Sequence, residues 1–261
     1  MDHRPIGLFD SGIGGLSVVR QLQRLAPAEP LLYFADTAWF PYGPRPAAEV
    51  RKRAFAITAR LLQSGVKMVV VACNTASAAA LEDLRQAFDV PFVGMVPGVK
   101  PAAASSRTGR VTILATEGTL DGSLYSRVVA DFGGSARVSS VAGTGLADLV
   151  ERGETTADST ERHIRGILEP EIAAGSDTVV LGCTHYHFLA DLIARAFPGA
   201  AIVDTTEAVA RRALQVLTDN DARAPAAASG ALDIIVSGDR AAFYRSMRRI
   251  GFALPVQEVS S

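Results

Sequence analysis

The chain has two cysteines, Cys73 and Cys183, and each closes a segment of the same design. Val69-Val70-Val71-Ala72-Cys73-Asn74-Thr75 in the first half is echoed by Val179-Val180-Leu181-Gly182-Cys183-Thr184-His185 in the second. A short β-branched apolar run reads as a buried parallel strand, so each thiol is expected where a strand gives way to a polar turn. Matched placement in two halves suggests two thiols facing one cleft. Such a pair suits proton transfer: a carbon can lose its proton on one face and gain another on the opposite face.

The neighbours of each thiol fit that chemistry. Asn74 and Thr75 are neutral donors suited to a carboxylate, and Ser77 is expected to cap the helix that follows. Exposure of Cys73 at a helix N-terminus would lower its pKa from about 8.5. After Cys183 come Thr184, His185, Tyr186 and His187, with His185 placed to tune the charge of the second thiol. Cys183, His185 and His187 as a zinc set is the weaker reading. A strand end turning into a helix would not keep three such side chains convergent, and the chain has no further cysteine. No metal is expected. His187 and His163 are expected at the surface, and His3 is terminal.

Two more segments are candidates. Phe9-Asp10-Ser11-Gly12-Ile13-Gly14-Gly15 follows an opening strand, and a helix starting near Gly15 would offer N-terminal donors to an anion. The segment matches neither the dinucleotide spacing nor the Lys-Ser/Thr ending of an ATP loop, so a strand–helix turn that needs small residues is an equal reading. Pro41-Tyr42-Gly43 aims a backbone N–H and a phenol into a cleft, unless it is an ordinary turn.

These residues need a scaffold that gathers strand ends. Strands are expected at 6–9, 31–35, 67–72, 91–94, 110–115, 137–141, 177–182, 200–203 and 233–237. Helices are expected near 15–25, 46–63, 77–88, 118–130, 143–151, 158–174, 187–196, 205–219 and 239–249. The alternation argues for an α/β protein with parallel sheets and helices on both faces, whose ligands bind beyond the carboxyl ends of the strands. Seams fall near 95–109, an Ala/Ser-rich stretch, and near Asp204-Thr205-Thr206. The late strand and helix are expected to return to the first half. That gives a first domain of 1–97 plus 207–261 and an inserted one of 98–206.

At 261 residues the chain can bury a substantial core, and a net charge of −1 gives no reason to expect nucleic acid or an anionic membrane as partner. No charged n-region with an apolar h-region precedes the first strand, and no apolar run reaches a membrane-spanning length. Two cysteines in matched settings favour free thiols in a reducing compartment, and the cytoplasm is the expected location. Basic residues are 23 Arg and three Lys, a bias that reads as codon usage. A pyridoxal Schiff base needs a placed lysine, and Lys52, Lys67 and Lys100 lie in no phosphate-like context, so no cofactor is expected.

With all four segments in view, the chain resembles the cofactor-independent glutamate racemases of bacteria. The resemblance is carried by Asp10-Ser11-Gly12-x-Gly14-Gly15, Pro41-Tyr42-Gly43, Cys73-Asn74-Thr75-Ala76-Ser77 and Gly182-Cys183-Thr184-His185-Tyr186, with Ser237-Gly238-Asp239 a weaker late match. It implies two pseudo-symmetric α/β domains with the active site at their interface. It implies Cys73 and Cys183 as acid/base thiols, with Asp10 and His185 tuning them. Glutamate would be held by Asp10, Ser11, Pro41, Tyr42, Gly43, Asn74, Thr75, Thr184 and His185. Thr116 and Thr119 resemble further pocket threonines, and Glu151 an acidic residue near the second thiol. The product D-glutamate would serve peptidoglycan synthesis; a homodimer is left open.

The related aspartate racemases tend to carry His where this chain has Ser77 and Glu where it has His185, which favours glutamate here. Trp39-Phe40 and Pro46 depart from the usual pattern and are expected to alter loop 38–46 and access to the pocket, not the chemistry. A different class of reading is a non-catalytic protein whose two lobes close on a dicarboxylate, with both cysteines merely packed.

Overall fold

The computed structural model describes residues 1–253. Its strands are β1 (Ile6–Asp10), β2 (Leu31–Ala35), β3 (Met68–Val71), β4 (Phe92–Gly94), β5 (Arg110–Ala115), β6 (Arg137–Ala142), β7 (Thr178–Gly182), β8 (Ala201–Val203) and β9 (Leu232–Val236). They form two sheets, ordered β4-β3-β1-β2-β9 and β6-β5-β7-β8. Every pairing is parallel. The protein therefore consists of two parallel-sheet α/β domains. β1, β3 and β7 are buried along their whole length, which is why they read as continuous apolar runs rather than alternating ones.

The helices are α1 (Leu16–Leu25), α2 (Ala47–Gln63), α3 (Asn74–Ala87), α4 (Val99–Ser105), α5 (Glu117–Leu120), α6 (Ser123–Phe132), α7 (Leu146–Glu151), α8 (Asp158–Ala173), α9 (Ala190–Ala196), α10 (Thr206–Asp219) and α11 (Arg240–Arg249). A 3-10 turn, Thr184–Leu189, precedes α9. One hydrophobic core runs between the sheets. It joins Leu16, Val19 and Leu22 of α1 to Val209, Ala213 and Leu217 of α10 and to Leu146, Val150, Ile164 and Leu168 beneath the second sheet. Burying each such Val, Leu or Ile side chain contributes roughly 1.5–3 kcal/mol, so this shared layer holds the two sheets together. β9 pairs with β2, bringing the late part of the chain back to the first sheet. Residues 254–261, placed by the sequence in the first domain, lie outside the described residues.

Several expectations are corrected. The stretch 95–109 contains α4, which carries Lys100, and the helix expected at 118–130 is broken at Gly122 into α5 and α6. α3 begins at Asn74 rather than near 77, with Cys73 itself in the cap position. Ser77 therefore does not cap it. Lying inside the helix, its hydroxyl donates to Val71 O (3.1 Å) and accepts from Met95 N (2.9 Å), tying β3 to the end of β4.

Candidate active site

Cys73 and Cys183 occupy equivalent points in the two sheets. Each follows the strand that ends its own Val-rich run, and each has an extended backbone (φ −145°, ψ 122° and φ −145°, ψ 137°) that turns the chain into a helical segment. Both are free thiols, 5% and 6% exposed, and both line one cavity of about 150 Å³ between the sheets. Ser11, Phe40, Pro41, Tyr42, Gly43, Asn74, Thr75, Thr116, Thr184 and His185 line it with them.

On the Cys183 side, His185 Nδ1 lies 3.9 Å from the sulfur and His185 Nε2 lies 2.8 Å from Glu151 Oε1. The same Glu151 oxygen accepts from the Ile13 backbone N–H at 2.7 Å. This changes the meaning of the glycine-rich turn. The Ile13 N–H of that turn is taken by the protein's own carboxylate. A methyl group at Gly12 would overlap the Glu151 carboxylate, and one at Gly14 would run into His185, Thr184 and Asp10. The glycines are there to let side chains of the second domain approach the backbone of the first. Burial works against charge on His185, but the Cys183 sulfur and Glu151 carboxylate outweigh it and hold the imidazole well above its ordinary range.

On the Cys73 side stands Asp10, fully buried at the end of β1. Its Oδ2 accepts from Thr184 Oγ1 at 2.9 Å, and its Oδ1 accepts from the Ser11 hydroxyl at 3.1 Å. Burial raises the Asp10 carboxyl above the usual aspartate value in spite of His185 and Thr184 nearby. Burial, and then the neighbouring Asp10, push the Cys73 thiol well up. The expected lowering of its pKa by a helix N-terminus is overridden: desolvation at a dry site outweighs the helix end. The two thiols thus have different partners, a carboxyl for one and an imidazole–carboxylate pair for the other.

Asn74 sits in the first turn of α3 beside the cavity, and its side-chain amide is buried with no protein partner. Thr75 Oγ1 is 2.8 Å from Thr116 Oγ1, which is 2.9 Å from Thr119 Oγ1. Thr116 and Thr75 reach the cavity lining, whereas Thr119 supports them from behind. Gly118 N donates to Gly43 O at 3.0 Å, joining loop and helix across the domains. The Tyr42 phenol does not point at the cleft; it donates to Asp36, which also receives Arg53 Nε at 2.7 Å. Asp36, fully buried at the end of β2, and Arg53 are functional-loop supports to which sequence reasoning gave no role. The available signal was position, since Asp36 follows β2 as Asp10 ends β1.

His187 is not a surface residue: its side chain is 3% exposed and its Nδ1 lies 3.2 Å from Asp204 Oδ2, turned away from Cys183. His163 is exposed, its Nε2 2.8 Å from Thr144 O. Among the described residues, no group of three or more His, Cys, Asp or Glu side chains is arranged to hold a metal ion. Lys67 is consumed in a buried ion pair with Glu29 (2.7 Å), and Lys100 lies 5.5 Å from the Phe132 ring centre. No helix among the described residues is long and apolar enough to cross a membrane.

Two thiols at matched strand ends thus share one small cavity between two parallel-sheet α/β domains. The profile of the Asp/Glu/Hydantoin racemase family matches residues 6–213, and the chain belongs to that family. It is similar along most of its length to glutamate racemases. That of Herpetosiphon aurantiacus is 44% identical over 244 residues, covering 93% of this chain and 96% of the relative. That of Roseiflexus sp. is 46% identical over 251 residues, covering 95% and 92%. The crystal structure of glutamate racemase from Thermus thermophilus in complex with beta-chloro-D-alanine matches with a TM-score of 0.86 at 37% identity, covering 100% of this chain and 98% of that one. The Escherichia coli glutamate racemase in complex with L-glutamate and the activator UDP-MurNAc-ala matches with a TM-score of 0.83 at 34% identity, covering 95% and 96%.

Proposed function

We propose that the protein interconverts L-glutamate and D-glutamate by proton transfer at Cα between two cysteine thiols. The observation that carries this reading is the placement of Cys73 and Cys183 at equivalent strand ends of opposite domains, both lining one cavity. The domains divide at 97/98 and 206/207. A single fixed base tends to return the proton to the face it left; two thiols flanking the carbon avoid this. Each contributes general acid–base catalysis worth roughly 10²–10⁴-fold.

Cys73, with Asp10 beside it, begins as the acid. Cys183, backed by the cationic His185, begins as the base. The first enantiomer gives its α-proton to the Cys183 thiolate and receives a proton from the Cys73 thiol. The other enantiomer is turned over with the roles reversed. No arginine or lysine lines the cavity among the described residues, so neutral donors hold the substrate's carboxylates. Ser11, Asn74, Thr75 and Thr184 serve, with the first turn of α3 adding its aligned N–H groups. The same fixed donors stabilise the charge that spreads onto the α-carboxylate as the proton leaves.

The reaction draws on protein groups alone, requires reduced thiols, and is assigned to the cytoplasm, where D-glutamate feeds peptidoglycan synthesis. The test is circular dichroism of L-glutamate incubated with the protein and no added cofactor, with L-aspartate in parallel. The signal decays to zero for glutamate and persists for aspartate. A stable glutamate signal contradicts the proposal.

A further inference from the structure

We infer that Phe40 is a positioning residue for His185, its ring held against the imidazole by an arginine-pinned loop so that the cationic form is favoured and aimed at Cys183. The inference rests on the two-thiol reading above and adds a residue to it. The Phe40 and His185 ring centres are 5.6 Å apart with planes inclined by 45°, and both side chains line the cavity. An aromatic face within about 6 Å of a cation attracts it, most strongly where water is excluded. His185 is 2% exposed.

The charged and titratable groups around His185 are Cys183, Glu151 and Asp10. All three favour a positive imidazole, and Phe40 is the aromatic wall of the same enclosure. It lines the cavity beside His185 without offering a competing hydrogen bond.

What fixes Phe40 is the loop that carries it. Arg45 Nε donates to Trp39 O at 3.0 Å and to Pro41 O at 3.2 Å, gripping the carbonyls on either side of Phe40. The Arg45 and Arg53 guanidinium groups lie 5.0 Å and 5.4 Å from the Trp39 ring centre. Arg53 is ion-paired to the buried Asp36, which also accepts from the Tyr42 phenol. Ser237 Oγ accepts from Ala38 N at 3.1 Å, and Gly238 N donates to Thr37 Oγ1 at 3.1 Å, which anchors the loop's start to the end of β9. So many ties on a short loop leave Phe40 one place to be.

The test is NMR titration of histidine-labelled protein without substrate, comparing the parent with Phe40→Leu, Phe40→Met and Phe40→Tyr. Leu and Met keep apolar cover and remove the aromatic face; Tyr keeps the face. The expected result is a His185 pKa lower by about half a unit to one unit in the Leu and Met variants and restored in the Tyr variant. The alkaline limb of kcat/KM moves down by the same amount. A His185 titration unchanged in both aliphatic variants overturns the inference. Because the titration is read without turnover, this outcome is separate from a failure of the parent protein to racemise glutamate.

Discussion

The Thr184 hydroxyl donates to Asp10 Oδ2 at 2.9 Å, a bond between residues 174 positions apart that joins the end of β7 to the end of β1. It places a residue adjacent to one thiol in contact with the carboxyl that serves the other. The two half-sites are therefore coupled: a change in how the domains meet alters the setting of Asp10. Thr184→Val removes this donor while keeping the volume. One lost hydrogen bond to a charged group is worth about 1.5–3 kcal/mol, so kcat/KM falls roughly 10–100-fold, and Thr184→Ser recovers most of it. Steady-state kinetics of the two variants checks this. A loss in Thr184→Ser with Thr184→Val unaffected assigns the effect to the methyl group instead.

Gly12 tests the reading of the glycine-rich turn. A methyl group there overlaps the Glu151 carboxylate, which must leave both Ile13 N and His185. Gly12→Ala is expected to cost about 1–3 kcal/mol of stability in thermal or urea unfolding and to reduce kcat/KM with it. A variant as stable and active as the parent shows that Glu151 is not needed where it lies.

Glu151→Gln gives a pH signature. His185 is held above its ordinary value, burial opposing the charge and Cys183 and Glu151 favouring it. A raised folded value means that the imidazolium's contribution to stability is complete below about pH 6.5 and is lost as pH rises through the folded value. Removing the Glu151 charge lowers that value, so the alkaline decline of both unfolding free energy and kcat/KM begins at lower pH. Profiles that superimpose on those of the parent remove Glu151 from the His185 pair.

Lys67 separates stability from chemistry. Its ammonium and the Glu29 carboxylate are paired at 2.7 Å with both side chains buried, far from the thiols in role, and Glu29 also accepts from Arg223 and Ala224 N. Lys67→Met leaves a buried carboxylate short of a partner and is expected to cost about 3 kcal/mol in urea unfolding, with kcat per folded molecule unchanged. A loss of kcat in fully folded protein contradicts a purely structural role.

Much of this architecture was legible because it is local. The Val-rich runs before Cys73 and Cys183 declare buried strands, and the polar residues after them mark the strand ends where a parallel sheet places its chemistry. What stayed hidden depends on distance or on compensation. α4 reads as linker because its Ala/Ser composition carries no apolar stripe and Pro101 stands in its first turn, where proline is tolerated. The grip of Glu151 on Ile13 spans 138 residues and has no local signature. The Tyr42 phenol turns from the cleft because Asp36 and Arg53 lie behind it, a relation set by packing α2 on the sheet. His187 looked like a surface residue because its partner, Asp204, is on the far side of a strand and helix.

The most direct test of the two-thiol account is the conversion of L-glutamate and of D-glutamate in deuterated water by the parent protein, Cys73→Ala and Cys183→Ala. The account predicts that the parent forms the opposite enantiomer with deuterium at Cα and that neither variant racemises in either direction. Sustained racemisation by either variant, or product formed without the label, contradicts it.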